Sequence, residues 1–149
     1  MRPRKLVLVV DGDAERLGTR RLLLENQAHL RVVPCGSGED ALVLLRGGLR
    51  VEVLVSEWQL PGMDGNELCA LAAQLDPLTD RVLLDAAREN VPEGCWAHRF
   101  LGRRAGSVEL LEVCRMFSSR RRGPKKSAAV RAGMARAAAA RAALQAEAV

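Results

Sequence analysis

The chain contains no tyrosine, and its aromatic residues are only Trp58, Trp96, Phe100 and Phe117, 3% of the sequence. A stacking platform for single-stranded bases needs several rings on one surface, so that mode of nucleic-acid binding is disfavoured. No apolar run approaches the roughly 18 residues needed to cross a bilayer; the longest, Leu6 to Val10, stands between Lys5 and Asp11. It is also too short for the apolar region of a secretory leader, so a cytoplasmic protein without membrane association is expected. The four cysteines, Cys35, Cys69, Cys95 and Cys114, include no C-x-x-C pair. Their spacing fits no zinc pattern, and a cytoplasmic setting disfavours disulfides. His29 and His98 lack a ligand-like neighbour one helical turn on, so buried free thiols, ordinary surface histidines and no bound metal are expected.

Within 149 residues, 48% hydrophobic and 28% charged, there is room for one globular domain and an appendage. The net charge of +5 is unevenly spread. Residues 1–117 carry 15 Lys and Arg against 17 Asp and Glu, a balance of −2, whereas residues 118–149 carry 8 against Glu147 alone, a balance of +7. The basic character belongs to the tail.

Apolar periodicity divides the rest into alternating elements. Leu6 to Val10 reads as a strand buried on both faces, ending in Asp11, Gly12 and Asp13. Asp13 can cap a helix from Ala14 to Asn26 that offers Leu17, Leu22, Leu23 and Leu24 to one face. A strand at Leu30 to Cys35 leads to a helix capped by Ser37 and stopped at Gly47 and Gly48. Val51 to Ser56 is a third strand. After the turn-rich Pro61-Gly62-Met63-Asp64-Gly65, Leu68, Leu71, Ala72 and Leu75 mark a helix capped by Asp64. Arg81 to Leu84 and Ala97 to Leu101 are further strands, and Ser107 to Phe117 a last helix; Pro92 and Gly94 leave only a short or irregular helix between those strands. This alternation specifies an α/β domain with a doubly wound, five-stranded parallel sheet. Residues 1–118 form the domain. Residues 119–149 form a basic linker and an Ala-rich tail, with 12 alanines between 128 and 148, expected to be helical.

In such sheets the functional crevice lies beyond the carboxyl ends of the strands. There the chain places Asp11, Gly12 and Asp13, Ser56 and Glu57, Asp85 and Arg103. Carboxylates from several strand ends meeting one cation suit a metal or phosphoryl site. The segment Ser56-Glu57-Trp58-Gln59-Leu60-Pro61-Gly62-Met63-Asp64-Gly65 resembles the S-D-x-x-M-P-G-M-D-G stretch of receiver domains in bacterial two-component response regulators. Leu8-Val9-Val10-Asp11 and Arg99-Phe100-Leu101 support the likeness, which spans roughly residues 4–118.

The resemblance implies the flavodoxin-like strand order 2-1-3-4-5 and a site that accepts a phosphoryl group on an aspartate beside Mg²⁺. It also implies that the chemistry of that site is altered here. The acceptor position is Glu57, the acidic pocket is reduced to Asp11, Gly12 and Asp13, and the Thr/Ser switch position is Asp85. The aromatic switch position is Phe100, and the lysine position is Arg103. Arg103 is expected to bridge carboxylates among Glu57, Asp85 and Asp11 with its planar fork. The expected function is a non-enzymatic, phosphorylation-independent interaction module in bacterial signalling, without a cofactor beyond weak residual Mg²⁺. The alternatives are a conventional phospho-accepting single-domain regulator and a basic-tailed, nucleic-acid-associated regulator. The tail cluster Arg120, Arg121, Arg122, Lys125 and Lys126 suits a solvated linker or a protein partner, with nucleic acid less favoured; whether it binds at all, the partner's identity and the oligomeric state stay open.

With few large apolar groups, residues 118–149 can bury little surface, and their attraction to a domain of charge −2 is screened beyond about 8 Å at physiological salt. Deleting residues 120–149 is therefore expected to leave the thermal unfolding midpoint nearly unchanged, as calorimetry would show. A large fall would make the tail part of the fold.

Overall fold

The computed structural model describes residues 4–85, 95–102 and 106–119. Its strands are β1 (Leu6–Val10), β2 (Arg31–Cys35), β3 (Val53–Glu57), β4 (Asp80–Leu84) and β5 (Arg99–Leu101). Its helices are α1 (Ala14–Gln27), α2 (Gly38–Arg46), α3 (Gly65–Leu75) and α4 (Ser107–Ser119). All pairings are parallel, in the order β2-β1-β3-β4-β5. The segment between β4 and β5, where a short helix was expected, lies mostly outside the described residues, as do Arg103 and the whole tail.

Both sheet faces are covered, which is why the central strands are continuous apolar runs. Val7, Val9, Val53, Val55, Val82 and Leu84 point to one face and pack with Leu24 of α1 and Leu110, Val113, Cys114 and Phe117 of α4. The alternate residues Leu8, Val10, Leu54 and Leu83 pack with Ala41, Leu42 and Leu45 of α2 and Leu68, Cys69 and Ala72 of α3. The helix starts follow from their caps: Asp13, Ser37 and Asp64 each accept a backbone N–H from the first turn of their helix.

Local departures from the sequence reading have simple causes. Leu22, Leu23 and Leu24 are consecutive and 100° apart on a helix, so they cannot share one face. Leu24 is buried, Leu23 packs against the core and Leu22 is 59% exposed. β5 starts at Arg99 because His98 Nδ1 accepts the Arg81 backbone N–H at 3.0 Å, an N–H that a regular ladder would give to a carbonyl. His98 is on the surface as expected, and there its ring also serves as a structural acceptor, lies 3.9 Å from Asp80 Oδ1 and meets Phe117 edge-on at 6.3 Å. Arg81 itself is buried. Its Nε donates to the Trp96 carbonyl at 2.7 Å and its Nη1 to the Thr79 carbonyl at 3.1 Å, and burial holds its pKa below the usual value. Cys35, Cys69 and Cys114 are buried free thiols as expected, and burial pushes Cys69 and Cys114 up to about 12, which makes them inert.

Gly65 opens α3 directly against the end of β3, donating its N–H to the Trp58 carbonyl at 2.7 Å. A Cβ there would stand 2.2 Å from the Glu57 carbonyl oxygen. Gly65→Ala must push α3 away from β3, and a loss of about 1–3 kcal/mol is expected in denaturant unfolding; an unchanged midpoint would contradict this packing.

Candidate functional site

Parallel register brings three acidic residues to one sheet edge. Val10 stands opposite Ser56, and Glu57 opposite Leu84. The next residue on β1, Asp11, and the next on β4, Asp85, therefore flank Glu57 at the carboxyl ends of neighbouring strands. Asp85 holds a left-handed backbone (φ 56°), a conformation that short polar side chains tolerate better than most. Asp11 has no exposed surface and Glu57 only 3%.

The cations come from α1. Arg16 and Arg20 lie four residues apart and share a helix face, and the Asp13 cap starts the helix so that this face meets the strand ends. Asp11 Oδ1 accepts from the Asp13 backbone N–H at 2.9 Å and from Arg16 Nη2 at 3.0 Å. Its Oδ2 accepts from Arg16 Nε at 3.0 Å and Arg20 Nη1 at 2.6 Å. The same Nη1 stands 2.5 Å from Glu57 Oε1, and Arg20 Nη2 lies 3.9 Å from Asp85 Oδ2. The Glu57 contact is an ion pair made by the nitrogen that also serves Asp11, at a buried oxygen to which no other group donates. Arg16 is held well above its ordinary value, first by its hydrogen bond to Asp11.

The Glu57 carboxyl is raised above its ordinary value of 4.5. Burial is the main cause, and the charges of Asp85 and Asp11 add to it; Arg20 opposes them. One shared guanidinium does not offset the desolvation of a carboxylate that also faces two others.

The structure assembles only part of the expected set. Asp11, Glu57 and Asp85 come together around Arg20. Asp13, grouped with the pocket in the sequence, is instead the α1 cap: its Oδ1 accepts the Glu15 and Arg16 backbone N–H groups, chiefly the latter bond holding its pKa low. Phe100 sits on β5 with 36% of its surface exposed. Arg103, assigned the bridging role, lies outside the described residues, as do Arg120, Arg121, Arg122, Lys125 and Lys126. Among the described residues the bridge is made by Arg20. Sequence reasoning passed over Arg16 and Arg20; their i, i+4 spacing directly after a capping Asp was the available signal.

Gly12 is exposed, and a Cβ added there would approach Pro61 Cδ to 3.1 Å, so a second carboxylate of an acidic pair would have to displace the β3–α3 loop slightly. With Arg20 in place the donor set does not suit a resident divalent ion. Every hydrogen bond that the arginines direct into the pocket ends on Asp11, Glu57 is paired, and among the described residues no group of three His, Cys, Asp or Glu is placed to hold a metal. A cleft of about 200 Å³ beside it, bordered by Thr19, Arg20, Asp85 and Ser107, opens the Arg20–Asp85 side to water.

No family model matches this chain. The transcriptional regulatory protein AfsQ1 of Streptomyces coelicolor is 40% identical over 86 residues, 58% of this chain and 36% of that protein, so the match spans about a third of the relative's length. Among solved structures, the BeF3-activated DrrB receiver domain aligns with TM-score 0.69 and 26% identity, covering 79% of this chain and all of that one. A CheY-like receiver domain protein of Methanospirillum hungatei JF-1 aligns with TM-score 0.69 over 76% of this chain and 93% of that one, at 22% identity, and shares the fold. Among the described residues, no helix is long and apolar enough to cross a membrane.

A carboxyl with a raised folded-state pKa binds its proton more tightly folded than unfolded, so its contribution is complete below the unfolded pKa and is lost as pH rises through the folded one. From about pH 4.5 upward, Glu57 should therefore draw stability down. Glu57→Gln is expected to flatten the pH profile of the melting temperature and to match or exceed the parent at pH 8. A variant that loses stability most at high pH would reverse the sign assigned here.

Proposed function

With a response regulator receiver domain as the premise, we propose that this chain works as a phosphorylation-independent protein-interaction module of bacterial two-component signalling. The observation that carries the reading is the state of the acceptor position: the Glu57 carboxylate is buried and paired with Arg20 at 2.5 Å, so it is not presented to an incoming phosphoryl donor. Glutamate also sets its oxygens about 1.5 Å further along the side chain than aspartate would, and in-line transfer is sensitive to misplacement on that scale.

The surroundings act in the same direction. Asp85 supplies a negative charge where receivers place a hydroxyl donor, and a phosphoryl group would bring up to two more charges beside it and Asp11. A fixed pocket leaves recognition to the surface of the fold, with no catalytic step, in the cytoplasm. A signalling protein is the partner in this reading. In this reading the tail cluster adds affinity for an acidic surface on that partner, and single-stranded nucleic acid is disfavoured because the chain has few aromatic groups to stack on bases. The match to AfsQ1 spans too little of that protein to carry its role in transcription across.

Incubating the full chain with acetyl phosphate and Mg²⁺, followed by intact-mass measurement, tests the reading. No adduct is expected. A mass gain of one phosphoryl group mapped to Glu57 would restore the conventional phospho-switch.

A further inference from the structure

Two oxygens of different strands bracket one nitrogen: Asp11 Oδ2 at 2.6 Å and Glu57 Oε1 at 2.5 Å from Arg20 Nη1. They are thus no more than about 5 Å apart, whereas two oxygens on a Mg²⁺ ion with bonds of about 2.1 Å stand up to about 4 Å apart. Oxygens from two strand ends thus share one cation, within a span that the ligands of a small metal ion can also occupy. Glu57 Oε1 is buried, and Arg20 is its partner cation. Arg20 reaches this position with only 17% of its side chain exposed, while Arg16 covers Asp11 from a more open position.

We infer that Arg20 is the resident cation of the pocket, standing where a divalent ion would otherwise be, and that Asp11 and Glu57 accept Mn²⁺ or Mg²⁺ only once its guanidinium is removed. The inference rests on the reading of this pocket as closed to phosphoryl chemistry and gives that closure a chemical agent. A guanidinium supplies positive charge but has no open coordination position, so no phosphoryl oxygen can join it as a metal ligand. Being covalently part of α1, it also cannot dissociate. The pocket then keeps its cation whatever the metal-ion concentration.

The test is thermal unfolding of the full chain, followed by circular dichroism, for the parent, Arg20→Ala, Arg20→Lys and the double variant Arg20→Ala/Asp11→Asn, each with and without MnCl2. The parent midpoint is expected to ignore Mn²⁺. Arg20→Ala should fall by roughly 10 °C, because two buried carboxylates lose their shared partner. About 5 mM Mn²⁺ should recover at least half of that loss by binding only the folded state. The double variant should show no recovery. If Arg20→Ala stays unfolded at every Mn²⁺ concentration, Arg20→Lys decides, with a smaller fall and a smaller but saturable Mn²⁺ response. An equal Mn²⁺ response in the parent, an Arg20→Ala as stable as the parent, or destabilised variants indifferent to Mn²⁺ would overturn the inference. A Mn²⁺ response of the parent without a phosphoryl adduct would remove this inference alone; an adduct on Glu57 would remove the functional reading.

Discussion

The carboxyl edge of the sheet depends on one shared guanidinium. Parallel pairing of β1, β3 and β4 forces Asp11, Glu57 and Asp85 towards one another, and burial strips the first two of the water that would screen them. Without a cation between them the strand ends would repel. Arg20 supplies it from α1, hydrogen-bonding Asp11 and pairing with Glu57. Such a pair returns little net stability, because desolvation consumes most of the attraction. It sets position instead, tying α1 to the strand ends at one place.

A second arginine, Arg81, is buried without a carboxylate at hydrogen-bond distance. Arg81 donates to the carbonyls of Thr79 and Trp96, while its own backbone N–H goes to His98. Carbonyl dipoles spread the compensation over several groups, which suits a site whose task is to bind segments together. The Arg20 site concentrates opposite charge on one atom. α4 is held by weaker means at its far end, where Arg115 donates to the Gln27 carbonyl and Lys5 to that of Ser118. These contacts fasten α4 to α1 and to the chain just before β1, on the same face of the sheet.

The strands and caps were legible because each rests on a local rule: an unbroken apolar run means burial on both faces, and Asp or Ser before a helical pattern means a cap. Strand order came with the family resemblance and agrees with the structure. What escaped the sequence depended on rotation and depth. Whether Leu22 or Leu24 faces the core, and whether Arg20 reaches inward, depends on how α1 is turned about its axis, which composition does not encode. The bridging role expected of Arg103 falls outside the described residues; among those described, Arg20 of α1 pairs with the same three carboxylates. His98 lies on the surface as expected, but nothing in its neighbours along the chain reveals that its ring accepts the Arg81 backbone N–H.

The contact between the Gly12 position and Pro61 bears on how such a domain can change over time. A side chain introduced at position 12 meets the Pro61 ring at 3.1 Å, and a shorter side chain at position 57 would loosen the Arg20–Glu57 pair while leaving those to Asp11 and Asp85. Each substitution taken singly thus disturbs a contact that is already made, the seat of the β3–α3 loop in the first case and the Arg20–Glu57 pair in the second.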